Sequence, residues 1–147
     1  LIPVVMAADN GDNGVIDIER YDLNPKTPFF HNRMGKVSYK QLAGLDKFGI
    51  GRMIAKQIGL ENVTEQTLSS FMQMGRTLVS WPQLGGAALL NGSIIAYCVR
   101  KILNNQPVAS KRANISLDEQ LIPDFNTANQ RKKRLLTARQ FKKLLKL

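Results

Sequence analysis

A chain of 147 residues is long enough for one domain with a real core, or for a small core with extensions. Its apolar fraction of 44% is that of a folded protein, whereas a net charge of +10 points to a polyanionic partner, most often nucleic acid. One histidine, His31, and one cysteine, Cys98, exclude an internal disulfide and a dedicated His/Cys zinc site.

The charge is unevenly placed. Residues 1–30 hold five acids (Asp9, Asp12, Asp17, Glu19, Asp22) against Arg20 and Lys26, a net of −3; the remaining 117 hold 19 bases against 6 acids, a net of +13. Residues 1–35 therefore read as an extended acidic arm. Leu1–Met6 and Val15-Ile16-Asp17-Ile18 can form short strands around Asp9-Asn10-Gly11-Asp12-Asn13-Gly14. That doubled D-N-G is a turn signal, because Asn-Gly adopts φ > 0 readily. As a calcium loop it lacks an oxygen ligand at Gly11 and a bidentate glutamate at Arg20. Asn24-Pro25 and Thr27-Pro28 prevent a long helix, and Phe29-Phe30-His31 is an aromatic cluster that docks the arm. The chain begins with Leu1 and not Met, which removal of a targeting peptide would explain.

The most informative stretch follows, QLAGLDKFGIGRMIAKQIGL over 41–60. Phe48-Gly49-Ile50-Gly51-Arg52 predicts a tight hairpin in which Gly49 and Gly51 take φ > 0 and Ile50 anchors the bend. A helix then opens at Arg52, offering unpaired N–H groups to a phosphate. Arg52 and Lys56, four apart, add charge on one face, with Lys47 beside them. The pattern L-x-x-L-x-x-F-G-I-G-R-x-x-A-K-x-I from Leu42 to Ile58 resembles the helix-hairpin-helix nucleic-acid motif. It is most similar to the small-subunit ribosomal protein family with a helix–two-turns–helix core (family member thirteen), whose second helix opens where this chain has Val63-Thr64-Glu65-Gln66. The resemblance covers about 35 residues, Val37 to Phe71. It implies a seat on ribosomal RNA among neighbouring ribosomal proteins, near the inter-subunit bridges and the peptidyl tRNA. The implied compartment is the ribosome of an organelle, mitochondrial among them, or of the cytoplasm.

Thr64 is an N-cap for a helix that carries Leu68, Phe71 and Met72 and runs to about Val79. Residues 77–99 form a run of 23 without a charge, long enough to span a bilayer. Pro82, Gly85, Gly86, Asn91, Gly92 and Ser93 dilute it, so the run predicts a buried helix, Leu84 to Leu103. Ala87, Leu90, Ile94, Tyr97 and Val99 to Ile102 would face the core, and Gly85-Gly86 would allow another backbone to pack closely. No membrane partner is expected. Residues 104–127 read as a linker with a basic knot at Lys111-Arg112 and one helical turn capped by Ser116 and ended by Pro123. Residues 128–147, ANQRKKRLLTARQFKKLLKL, form a cationic amphipathic helix. Arg131, Lys132, Lys133, Arg134, Arg139, Lys142, Lys143 and Lys146 face no acid.

No catalytic set emerges: there is no G-x-S-x-G, no P-loop and no carboxylate pair outside the arm. The expectation is a mainly α protein that is not an enzyme and has no cofactor or metal. Its parts would be an acidic arm (1–35), a helical core with the glycine hairpin (36–103), a linker (104–127) and a basic tail (128–147). Its function would be structural binding of ribosomal RNA phosphates by hairpin and tail. The alternatives are a DNA-binding helix-hairpin-helix module and a structural protein of a virion or membrane assembly.

Overall fold

The D-N-G-D run turns the chain back on itself. β1 (Val4–Asp9) and β2 (Asn13–Glu19) pair antiparallel, Val5 opposite Ile18 and Ala7 opposite Ile16, with Gly11 at φ +91° in the turn. At Gly11 a Cβ would also stand 2.6 Å from the Thr64 and Thr67 hydroxyls, so glycine answers both a backbone and a packing demand. β3 (Lys111–Ser116) adds antiparallel to the far side of β2, giving the order β1-β2-β3. The computed structural model describes residues 1–80 and 82–145, the side chains at 47, 48, 144 and 145 excepted. Its helices are α1 (Tyr39–Ala43), α2 (Lys47–Ile58), α3 (Glu65–Met72), α4 (Gly85–Leu103), α5 (Leu117–Leu121) and α6 (Ala128–Leu145), with 3-10 turns at Phe29–Asn32 and Leu60–Asn62.

The chain is thus mixed α/β, built on a three-stranded antiparallel sheet, and the mainly α expectation is wrong. The acidic arm supplies the central strand, every residue of which is buried, and the stretch read as a linker supplies β3 and α5. Strand alternation explains both the architecture and the error. Ile16 and Ile18 point to one face and Val15, Asp17 and Glu19 to the other. Acids at every second position look like a solvated strand, yet here they are inside.

Each face of the sheet carries a cluster. Ile16, Ile18 and Cys98 pack with Val5, Ala7, Ile94, Val108 and Ile115, which seats α4 on β1 and β2. Val15 packs with Ala55 and Ile58 of α2, Leu60, Val63, Leu68 and Phe71, and with Ala138 and Phe141 of α6. The Phe71 and Phe141 rings lie 5.6 Å apart. Burying Leu68 or Ile16 is worth about 1.5–3 kcal/mol each, so these two layers hold the fold.

Two helices differ from expectation. α3 does begin at Thr64, whose hydroxyl accepts from Thr67 N at 3.3 Å, but it ends at Met72. Gly75 at φ +74° turns the chain there, donating to Leu78 O at 2.8 Å. α4 spans Gly85–Leu103, yet only Ala87, Asn91 and Cys98 are fully buried; Tyr97 and Val99 are exposed. A single helix laid on a sheet buries one stripe, here 87, 91, 94 and 98. By length and composition alone α4 could also cross a membrane.

Two expected results test this packing. A Cβ on Gly14 would stand 1.9 Å from Asn91 Oδ1, and Asn91 is fixed by its bonds to Asp9 Oδ1 (2.7 Å) and Ala87 O (2.9 Å). Gly14→Ala should therefore cost about 1–3 kcal/mol in urea unfolding; an unchanged midpoint would mean that Asn91 can swing aside. Burial pushes the Cys98 thiol above its usual range. Native protein should react negligibly with a thiol reagent at pH 8 and fully in urea, and rapid native reaction would contradict the α4–sheet contact.

Candidate nucleic-acid interface

The glycine run is not a hairpin. α2 starts at Lys47, with Asp46 as N-cap accepting from Gly49 N at 2.6 Å. Gly49 and Gly51 lie inside the helix, and neither is among the described residues with positive φ. The turn between α1 and α2 falls at 44–46, upstream of the glycines. The reason is local: aspartate is a strong N-cap and starts the helix before the glycines can bend it. Its carboxylate already occupies the Gly49 amide that was to face a phosphate. Gly49 has a packing reason to be glycine, since a Cβ there would meet Leu45 Cδ2 at 2.9 Å; at Gly51 it would meet nothing among the described residues within 4 Å. Ile50 is 48% exposed and anchors no bend. Arg52 is half-buried and Lys56 exposed, while the Lys47 side chain lies outside the described residues.

Arg112 is turned inward rather than toward a ligand. Its Nη1 donates to Asp17 Oδ2 at 2.6 Å, and its Nη2 donates to Gln57 O and, at 2.8 Å, to Ile58 O, capping the end of α2. Asp17 is completely buried and also accepts from Gln57 Nε2 at 3.0 Å, with His31 Nδ1 3.1 Å from its other oxygen. Burial draws the Arg112 pKa below its ordinary value, against the pull of Asp17. Lys111 beside it is exposed.

His31 belongs to a strained turn. Phe30, His31 and Asn32 hold φ of 47°, 47° and 66°, each costing on the order of 1–3 kcal/mol for a residue with a side chain. Buried acids of β2 hold it: Glu19 accepts from Phe30 N and, at 3.1 Å, from Tyr21 OH, while Asp17 takes His31. The sequence reading missed Asp17, Gln57 and the two roles of β2's acids. One signal was present: Asp17 and Arg112 are direct cross-strand partners, an acid and a base on short strands of matching alternation.

The basic tail is where the expected site residues come together. α6 holds seven bases and no acid. Ala138 and Phe141 are buried against Leu68 and Phe71, which fixes the helix's rotation. Arg131, Lys132, Lys133, Arg139, Lys142 and Lys143 are exposed, and none makes an ion pair among the described residues. Arg134 is the exception: it stacks 4.0 Å over the Phe125 ring and donates to Phe125 O at 2.7 Å, tying the helix start to the preceding loop. Lys146 lies outside the described residues. Lys132, Arg139 and Lys143 recur at spacings of seven and four, which is one line along the helix. The line spans roughly 16 Å at 1.5 Å per residue. A nucleic-acid strand carries a charge per about 3.4 Å, so about five phosphates fit along it. The field also reaches Glu61. Burial raises that carboxyl, but its own backbone N–H, Arg33 at 3.0 Å and Lys142 outweigh burial and hold it below the usual range. α2 packs against α6, so exposed Lys56 stands on the neighbouring helix.

No protein-family model matches the chain, and no solved structure matches it. Over 120 residues it is 29% identical to a Mycobacterium tuberculosis (strain CDC 1551 / Oshkosh) protein described only as "Uncharacterized protein MT1398". That match takes in 82% of this chain and 16% of the relative, so the chain spans about a sixth of the relative's length.

Proposed function

We propose that this chain is an RNA-binding module that holds a sugar–phosphate backbone along the outward face of α6, as a structural part of a larger assembly. The observation that carries the reading is the line of exposed bases Lys132, Arg139 and Lys143, with no ion pair among the described residues, on a helix whose opposite side is locked into the core. A cationic helix free in solution loses order to self-repulsion; one already packed through Ala138 and Phe141 presents its charges without that cost. Backbone binding of this kind is electrostatic and indifferent to sequence. The basic trailing segment lies outside the 35 residues that resemble the small-subunit family, so the reading rests on the charges of α6 themselves. The glycine run contributes packing, since Asp46 caps its helix. The length of the mycobacterial relative supports a module working within a longer polypeptide.

The test is fluorescence anisotropy of a labelled single-stranded RNA at two salt concentrations. With the three bases of the line each neutralising one phosphate, affinity should fall about 20-fold between 50 and 200 mM salt. Absence of binding at the lower salt, or an affinity indifferent to salt, would overturn the reading.

A further inference from the structure

We propose that the groove beside the start of α6 receives one base of the bound strand and selects adenine; the inference rests on the RNA-backbone reading above. A cavity of about 700 Å³ lies between the turn at 124–127 and the first turns of the helix. Asn129, Lys132, Lys133 and Leu136 stand at i, i+3, i+4 and i+7 of α6, so one face of the helix forms its inner wall. That face is turned away from buried Ala138 and Phe141, and it shares Lys132 with the line of bases along the helix.

Two observations separate this groove from a solvated charged face. The first is its mixed chemistry. A phosphate track needs cations alone, whereas a base brings a flat apolar face and an edge of donors and acceptors. The groove answers both: Leu136, 48% exposed, supplies apolar surface between the amide of Asn129 and the carboxylate of Asp124. The second is that its polar side chains are unspent. Asp124, Thr127, Asn129, Gln130, Lys132 and Lys133 are exposed, and none makes a side-chain hydrogen bond or ion pair among the described residues. The rest of the loop is tied down: Asn126 Nδ2 donates to Glu119 Oε1 at 2.7 Å, and Arg134 stacks over Phe125. The wall is therefore held while the groups that can read a base are free.

The pattern of donors and acceptors chooses the base. The Asn129 amide, one donor side and one acceptor, matches N7 and one N6 hydrogen of adenine. The Asp124 carboxylate, an acceptor only, takes the other N6 hydrogen. Guanine and uracil place a carbonyl oxygen there, acceptor against acceptor, and cytosine has the amine but no N7. Lys132 and Lys133 hold the flanking phosphates, and with one acid against two bases the groove stays positive.

Anisotropy of labelled oligoadenylate and oligouridylate of equal length, at about 50 mM salt, reads the selection. Oligoadenylate should bind about tenfold more tightly. Asn129→Ala should bring the two strands to within about twofold of each other and leave the salt dependence unchanged, because it removes no charge. Alanine at an exposed helical position favours the helix, so folding persists. Lys132→Ala should do the reverse, lowering both affinities and the salt slope while the preference remains. Equal, salt-dependent affinities of the wild type for the two strands overturn the adenine groove and leave the backbone reading standing. A preference that survives in Asn129→Ala also overturns the groove, since stacking within the strand then accounts for it. Absence of binding to either strand overturns both.

Discussion

Replacing Arg112 with methionine should cost about 3–5 kcal/mol of folding stability, the largest effect expected of any single substitution on the sheet. Asp17 is wholly buried, and among the described residues Arg112 is the one cation that meets it with fixed charge, with His31 and Gln57 as its further partners. Methionine fills the space of the arginine stem but leaves a carboxylate in a low-dielectric interior and frees the carbonyls of Gln57 and Ile58. The loss should appear as a lower urea midpoint at unchanged slope. Replacing both partners, Asp17→Leu with Arg112→Met, should recover most of it, because removing both charges leaves none unpaired. A single variant within about 1 kcal/mol of wild type would mean that water reaches Asp17, and the sheet's inner face would have to be redrawn.

The second large effect concerns binding. The triple reversal Lys132→Glu, Arg139→Glu and Lys143→Glu converts the line on α6 from three positive to three negative charges. RNA binding should become undetectable at about 150 mM salt, while a single Lys132→Ala should lower the salt slope by about 0.7. All three side chains are exposed and make no ion pair among the described residues, so folding should persist. The matched control carries the same change in net charge elsewhere: Lys26→Glu, Lys40→Glu and Arg76→Glu, all exposed. The control should weaken binding only slightly. Equal loss in both proteins would show that net charge alone, and not the α6 line, attracts the polyanion.

What could be read from the sequence was local. Thr64 and Ser116 announced helix starts, and both hydroxyls accept the expected backbone N–H. The bases of α6, unbalanced by any acid and interleaved with Ala138 and Phe141, announced an amphipathic helix that the fold contains. What escaped was non-local. β2 reads as part of an extended acidic arm because Asp17 and Glu19 alternate with its isoleucines; its distant partners Arg112 and the Phe29–Asn32 turn make those acids interior. β3, KRANIS, has too few apolar residues to read as a strand until β2 is beside it. The glycine run failed for a different reason. Two glycines permit a bend without requiring one, and Asp46 decides in favour of a helix. Arg112 likewise shows that a base in a basic knot can be spent inside the protein.

The central claim, that α6 is the surface on which RNA lies, is tested most directly by lysine-acetylation footprinting with and without a single-stranded RNA, read by mass spectrometry. Lys132, Lys133, Lys142 and Lys143 should be protected while Lys26 and Lys40 are modified as in the free protein. Protection confined to other lysines, or α6 lysines that acetylate equally with RNA bound, would contradict it.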